Sequence, residues 1–198
     1  MNQAVLSRLS EQDYLHDEMN GESRHEYVDG VAFAMAGAGE AHNLISLNIA
    51  SKLREFVRGS PCRVYISDMK LHVETWKAYY YPDIMVVCDP ADNHDYFKEH
   101  PSVVLEVLSP ATERTDRREK MLAYRTLPSL REYLLVAADR RKVERYCRDE
   151  QEEWKLVESV EPDVVQLQSI GATLSLDEIY EEVKLDNSRV RLWSDGIY

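Results

Sequence analysis

The alternation of apolar and polar positions along this chain changes period several times, and each change predicts an element. Ser10 to Asn20 reads as a short helix, with Ser10 placed to cap it, Asp13 supporting the first turn and Gly21 stopping it. "RHEYVDGVAFAMAG" then gives two short β-like pieces around Asp29-Gly30, a dipeptide that favours a tight hairpin turn. From about Glu40 to Arg58 the period becomes helical. His42, Ile45, Ile49, Leu53 and Phe56 fall on one stripe, and Gly59 with Pro61 ends the run. "CRVYISDMKLHV" and "YYYPDIMVVC" are two β-rich stretches separated by a polar turn. A third runs from Val103 to Leu108 and is apolar throughout except for Glu106, the pattern of a strand covered on both faces. Ser109-Pro110 breaks it, and Thr112 or Thr115 can cap a following helix that reaches about Thr126. "REYLLVAA" is a further strand, which Asp139-Arg140-Arg141 turns into the alternating "KVERYCR". "EWKLVESV" and "VVQL" read as additional antiparallel strands. Ser175 with Glu178 makes a capping box for a last helix through Val183.

This order predicts one α/β (α+β) domain over residues 1–198, built on a mixed sheet, with a short N-terminal helix and a C-terminal helix plus tail. No repeat, low-complexity stretch or interdomain linker interrupts it. The tail from Leu185 to Tyr198, with Leu192, Trp193 and Tyr198, offers apolar side chains for an interface.

Composition changes the picture in two places. The formal net charge of −12 argues against nonspecific affinity for nucleic acid or anionic membranes. Residues 114–148 run the other way, with eleven Lys/Arg against five Asp/Glu. That segment is either a solvated face of mixed ion pairs or a surface for an acidic ligand. Cys62, Cys88 and Cys147 are widely separated and show no spacing for a zinc site or a disulfide framework. The N-terminus has no basic region followed by an apolar core, and no apolar run approaches a membrane span. A cytoplasmic location is therefore expected.

Glu106 is the chemically informative residue. An ionised carboxylate inside an apolar strand needs a partner or must stay protonated, because its unpaired burial is costly. Asp83 follows Pro82 at the entrance of a β-rich run, 23 residues earlier. Adjacent antiparallel strands can bring both to one face. Two carboxylates about 4 Å apart repel by roughly 4 kcal/mol at an effective dielectric of 20. A divalent cation turns that repulsion into a binding site, and oxygen ligands of this kind suit magnesium or manganese. The bland alternatives are a turn role for Pro82-Asp83 and a buried Arg or Lys partner for Glu106.

Pro82-Asp83 on one strand followed by an acidic residue in an apolar strand is similar to the PD-(D/E)xK nuclease pattern. More closely, "YYYPDIMVVCD", "EVLSPAT", Asp116, Lys120, Tyr124 and "REYLLV" resemble the Uma-two family of restriction-endonuclease-like proteins, as do "HEYVDGVAFAM" and "AHNLI". The resemblance runs from about Leu9 to Val183. It implies a restriction-endonuclease-like core with a central mixed β-sheet flanked by helices: helix, three antiparallel strands, helix, strand. It further implies that Asp83, Glu106 and the backbone carbonyl of Val107 hold Mg2+ or Mn2+, and that a lysine orients or deprotonates the attacking water.

That lysine belongs two residues after the glutamate, where this chain has Leu108. Lys120, about one turn into the next helix, is the expected substitute. The bland reading of Asp116 and Lys120 is an exposed i,i+4 pair worth a few tenths of a kcal/mol. Lys70 in "SDMK" has the acid-x-lysine spacing with Asp68 but precedes Pro82-Asp83, the wrong order. Glu26 is expected as an added acidic ligand, His42 as a contact to phosphate or a brace for an acid, and Asp68 as an outer carboxylate. Tyr124 is expected to pack.

The expected activity is a magnesium-dependent endodeoxyribonuclease with DNA as substrate and, by analogy with nucleases of this fold, a homodimer. No membrane partner is expected. The rival is a catalytically inactive protein of the same fold that serves as an interaction or nucleic-acid-binding module. Leu108 and the net negative charge favour that rival.

Overall fold

A computed structural model describes residues 8–35, 37–160 and 163–185. The chain opens with helix α1 (Glu11–Asn20), where the Ser10 hydroxyl accepts the Asp13 N–H at 3.1 Å and caps the first turn as its side-chain chemistry predicts. Strands β1 (His25–Val28) and β2 (Val31–Ala34) form the expected hairpin. Asp29 and Gly30 both sit at positive φ, 41° and 96°, the conformation a two-residue hairpin turn of this twist requires. Helix α2 (Glu40–Phe56) follows.

The next two β-rich stretches each break in two, and the breaks set the architecture. "CRVYISDMKLHV" becomes β3 (Arg63–Ile66) and β4 (Lys70–Val73), while "YYYPDIMVVC" becomes β5 (Ala78–Tyr80) and β6 (Ile84–Val87). These pieces join different sheets. A five-stranded sheet has the order β2-β1-β5-β4-β7, where β7 is Phe97–Lys98. A six-stranded sheet has the order β11-β10-β9-β8-β6-β3. Its remaining strands are β8 (Pro101–Leu108), β9 (Glu132–Ala137), β10 (Lys142–Arg148) and β11 (Trp154–Val160). So Pro82-Asp83 lies where the chain crosses from one sheet to the other.

The six-stranded sheet is mixed. β3, β6 and β8 pair antiparallel, and β9 lies parallel to β8 after a helical crossover. With α2 before them and a helix over residues 113–124 (α3) between β8 and β9, this is the helix, three strands, helix, strand order of a restriction-endonuclease-like core. A two-stranded ribbon of β12 (Val164–Leu167) and β13 (Ala172–Ser175) follows, then a one-turn helix α4 (Leu176–Ile179). The ribbon's second strand had no clear period in the sequence. α4 carries the expected Ser175–Glu178 capping box but ends before Val183.

Strand alternation decides what each face of the six-stranded sheet meets. Val103, Leu105 and Val107 of β8 pack with Ile45, Ile49 and Leu53 of α2. Val104 and Leu108 face the other way, toward Met121, Tyr124 and Leu127 and toward Leu71 and Val73 of the five-stranded sheet. Glu106 shares their parity, so its side chain is sent toward α3. Ile84 pairs with Leu105, which puts Asp83 opposite Glu106 on that same face.

Three expectations are corrected. Phe56 is 48% exposed and Val57 takes its place on the buried stripe of α2, because the helix ends there and the chain turns at Gly59. Neither threonine caps α3 with its side chain; Ser109 does the work, its carbonyl accepting the Glu113 N–H at 2.9 Å. Cys62 and Cys88 form a disulfide, contrary to the absence of a framework expected from their spacing. They lie just beyond paired ends of β3 and β6, where Arg63 meets Val87, so antiparallel register places them face to face. Cys147 is free. Among the described residues, no helix is long and apolar enough to cross a membrane. The interface expectation for the tail from residue 186 onward lies outside the described residues.

Candidate active site

Where the two sheets meet α3, a cavity of about 450 Å³ opens between the β1–β2 hairpin and the starts of α2 and α3. Glu26, His42, Asp83, Glu106, Asp116 and Lys120 all line it. Each arrives by a local cause. Glu26 is on β1, Asp83 at the sheet crossing, Glu106 inside β8, and His42 in the first turn of α2. Asp116 and Lys120 bound the stretch of α3 that is wound as π-helix, Asp116–Lys120, between α-helical Glu113–Thr115 and Met121–Tyr124. Such widened turns often occur at functional sites.

Lys120 is the hub. Its Nζ stands 2.9 Å from Glu26 Oε1, 3.1 Å from Glu106 Oε1 and 3.3 Å from Asp116 Oδ1, and its side chain is only 6% exposed. The Tyr124 hydroxyl donates to Glu106 Oε1 at 3.0 Å. The other oxygen, Glu106 Oε2, accepts the Asp83 N–H at 3.3 Å. Asp83 Oδ2 accepts the Val107 N–H at 2.7 Å and lies 3.0 Å from His42 Nε2. Asp83 and Glu106 are thus tied to each other's strand by reciprocal backbone bonds. Glu26 Oε1 also accepts the Tyr81 N–H at 3.1 Å, which anchors the residue just before Pro82-Asp83.

The electrostatics follow from crowding and burial. Burial pushes the Glu106 carboxyl well above its ordinary value; Lys120 opposes this, while Asp116, Asp83 and Glu26 add to it. Asp116 is raised for the same first reason, with Lys120 again opposing. Burial would lower the Lys120 ammonium, but Glu106, Glu26 and Asp116 outweigh it and hold the group charged. At His42, burial works against protonation and the Asp83 carboxylate works for it, with a net rise. Five carboxyl groups, Glu119 included, against one ammonium and one imidazole leave the cavity short of positive charge.

Among the described residues, no three acidic, histidine or cysteine side chains form a ready metal cage. The donor chemistry nonetheless fits magnesium, which keeps several waters and is held by one or two carboxylates plus substrate phosphate rather than by an all-protein cage. Asp83 and Glu106 supply that carboxylate pair. Asp116 Oδ1 is buried and makes no well-formed hydrogen bond, only the 3.3 Å contact to Lys120.

Five of the six residues singled out from the sequence come together here; Asp68 does not. Its side chain is 80% exposed and pairs with Arg24 Nε at 3.3 Å, outside the cavity. Lys70 is buried elsewhere and donates to the Tyr81 hydroxyl at 3.3 Å. The Asp116–Lys120 pair is no exposed surface pair, since both residues are buried. Tyr124 does more than pack, because its hydroxyl is a direct partner of Glu106. The signal for it was present: Asp116, Lys120 and Tyr124 recur every four residues as a polar stripe on a helix that faces an acid-bearing strand.

The basic segment 114–148 resolves largely into ion pairs. Arg117 and Lys142 hold Glu144, Arg145 holds Glu132, and Arg131 with Arg148 holds Glu152. Arg114 and Arg118 are exposed and form no ion pair among the described residues.

The two-sheet α/β arrangement, with acids at the adjacent strands β6 and β8 and a lysine from the next helix, defines a restriction-endonuclease-like fold. The chain belongs to the Uma2 family, whose model, described as "Putative restriction endonuclease", matches residues 11–177. It is similar to the uncharacterized protein slr1290 of Synechocystis sp., with 34% identity over 178 residues, 89% of this chain and 94% of the relative. A second Synechocystis protein, uncharacterized sll1609, is 31% identical over 158 residues, 78% of this chain and 89% of the relative. The fold is also that of a solved structure from Anabaena variabilis, described as a putative nuclease belonging to DUF820. It matches with a TM-score of 0.69 at 17% identity, covering 83% of this chain and 93% of that one.

Proposed function

We propose that this chain, acting as a single nuclease-like unit, is a metal-dependent endonuclease that hydrolyses DNA phosphodiester bonds. Asp83, Glu106 and the Val107 carbonyl, with Glu26 beside them, would hold Mg2+ or Mn2+. A divalent ion so held polarises the scissile phosphate and lowers the pKa of a bound water. The chain's own residues do the rest. His42 and the Val107 N–H fix Asp83, Tyr124 fixes Glu106, and Lys120 is placed to orient the attacking water or to meet the negative charge that develops on the phosphate. The observation that carries this reading is the 3.1 Å approach of Lys120 to Glu106, which returns from α3 the cation that Leu108 leaves out of β8. The family description and the nuclease title of the Anabaena structure support the reaction class.

The test is cleavage of supercoiled, linear and single-stranded DNA with Mg2+ or Mn2+, comparing the wild type with Glu106→Ala. Cleavage by the wild type that the substitution abolishes is expected; equal activity of both, or none over a broad substrate panel, would refute the assignment. By analogy with nucleases of this fold the working form is a homodimer, which light scattering checks directly.

One observation favours a second reading, in which the fold is kept as an interaction or nucleic-acid-binding module without catalysis. Lys120 is already engaged by three carboxylates. Binding of DNA by the wild type without cleavage under any divalent ion would select this reading.

A further inference from the structure

The cavity has two chemically different ends. The carboxylates and Lys120 form one; the other is built from Val28, Phe33, Ala34 and Met35. Phe33 is 52% exposed and Met35 40% exposed, on or just after β2, the edge strand of the five-stranded sheet. A single exposed Phe is ordinary on a protein surface. This one is placed. Phe33 lies directly opposite Glu26 in the β1–β2 ladder, so ring and carboxylate share one face of the sheet with Cβ atoms about 5 Å apart. Glu26 in turn touches Lys120 at 2.9 Å. The exposed ring is therefore one side chain away from the charged cluster, inside the same cavity.

A ligand that fits both ends carries a flat, largely apolar ring system and, a short distance away, an anion that the lysine and a bound cation can hold. A nucleotide unit within a strand has this form, and about 450 Å³ falls in the range of pockets that take one such unit. A base inside a duplex cannot use the site, because neighbouring bases cover its faces and freeing them costs a few kcal/mol. We infer that the β1–β2 hairpin is a base subsite: Phe33 stacks on an unpaired nucleobase, Met35 packs beside it, and the adjoining phosphodiester is thereby set over Glu106 and Lys120. The substrate class is then single-stranded nucleic acid, and strand preference is fixed by Phe33. This rests on the nuclease reading above and adds the identity of the strand to it.

The experiment uses single-stranded DNA oligonucleotides containing 2-aminopurine, and the matched duplex, titrated with the full chain in Ca2+. Stacking quenches the fluorescence, so the readout is independent of turnover. The wild type is expected to quench the single strand and to bind it about tenfold more tightly than the duplex. Phe33→Ala is expected to weaken single-strand binding at least about fivefold and to lose the quenching, in line with the usual effect of removing a base-stacking ring. Phe33→Trp restores both, and Phe33→Leu, which keeps apolar bulk without a ring, restores neither. Because Phe33 is half exposed, thermal melts of these variants should match the wild type.

Equal binding by wild type and Phe33→Ala, full rescue by Leu, or a wild type that binds duplex as tightly as single strand overturns the subsite. So does a Phe33→Ala variant that only changes from dimer to monomer. DNA cleavage that depends on Glu106 but is indifferent to Phe33 sinks the base subsite alone. Ring-dependent quenching without cleavage keeps the subsite and removes the catalytic reading.

Discussion

An ammonium buried among Glu26, Glu106 and Asp116 is the point on which the local electrostatics turn. Lys120→Met keeps the length of the side chain and removes its charge, leaving three carboxylates facing one another. Removing one partner of a buried ion pair costs about 3–5 kcal/mol, which for a chain of this size lowers Tm by roughly 6–20 °C. The sign of the pH dependence follows from linkage. Burial raises Glu106 and Asp116 in the fold and Lys120 opposes it, so in Lys120→Met both rise further and the folded variant takes up protons that the folded wild type does not. Its deficit against the wild type should therefore shrink as pH falls from neutrality, and at neutral pH part of it should return on adding Mg2+ or Ca2+. Scanning calorimetry with and without the ion checks both; an unchanged melting point at neutral pH would contradict the account. Tyr124→Phe is the milder case. It removes one donor to Glu106 and should cost about 1.5 kcal/mol, read from urea denaturation. Asp83 and Glu106 were legible in the sequence because a Pro-Asp dipeptide and an acid within an apolar strand are both locally odd. Glu26 owes its role to a partner 94 positions away, and nothing beside it in the chain announces that; Tyr124 was legible only as the last member of the Asp116, Lys120, Tyr124 stripe.

At the scale of elements, α3 and its neighbour β10 carry the argument. The π-wound stretch Asp116–Lys120 has no sequence signature, because it differs from an α-turn in hydrogen-bond partners rather than in apolar period. The double splits of "CRVYISDMKLHV" and "YYYPDIMVVC" were equally hidden. Their pieces are only three or four residues long, too short for a period to show where one ends and the next begins. The long stripe of α2 and the capped α1 were legible, since each repeats its signal over several turns or carries it in a cap. β10 contributes a pH-dependent clamp on α3. Burial pushes the Glu144 carboxyl up, but Arg117 and Lys142 outweigh it and hold the group below its ordinary value. A folded-state value below the unfolded one gives stability at neutral pH that is lost as pH falls through the folded value. Glu144→Gln should thus be less stable than wild type by about 1–3 kcal/mol at neutral pH, and the difference should close in acid, once the carboxyl is protonated in the folded state as well. Urea titrations at neutral and acid pH settle it, and a gap that persists in acid would mean packing, not charge.

For the whole molecule, the charge of −12 does not conflict with a nucleic-acid substrate once its distribution is seen. The basic segment is consumed largely by internal pairs, so a field that draws in long polyanions is not expected from it. Binding should rest on the cavity and a divalent ion, with a shallow dependence on monovalent salt, fewer than about three phosphate contacts by the slope of log K against log salt. A steep slope would point instead to a contact surface elsewhere, with Arg114 and Arg118 the first residues to exchange. The Cys62–Cys88 disulfide staples β3 to β6 across 26 residues. Its reduction should lower stability by about 2–4 kcal/mol without moving Asp83, since β6 is also held by β8. A thermal melt with and without a reducing agent measures this. Cys62 and Cys88 could not be paired from their spacing, which becomes meaningful only when antiparallel register brings the two strand ends together.

The span from Glu26 on β1 to Lys120 on α3 has a consequence for the protein's life before it is complete. The two side chains meet only after both sheets have formed and the long loop between them has closed, an entropic cost that local contacts cannot offset early in folding. A ribosome-bound chain that has emerged only through β8 possesses Asp83 and Glu106 but neither Lys120 nor the parallel strand β9 that completes the sheet. The proposed site is therefore complete only once α3 and β9 have joined the fold. A copy truncated before α3 carries the two acids of the proposed metal site without the lysine that meets them.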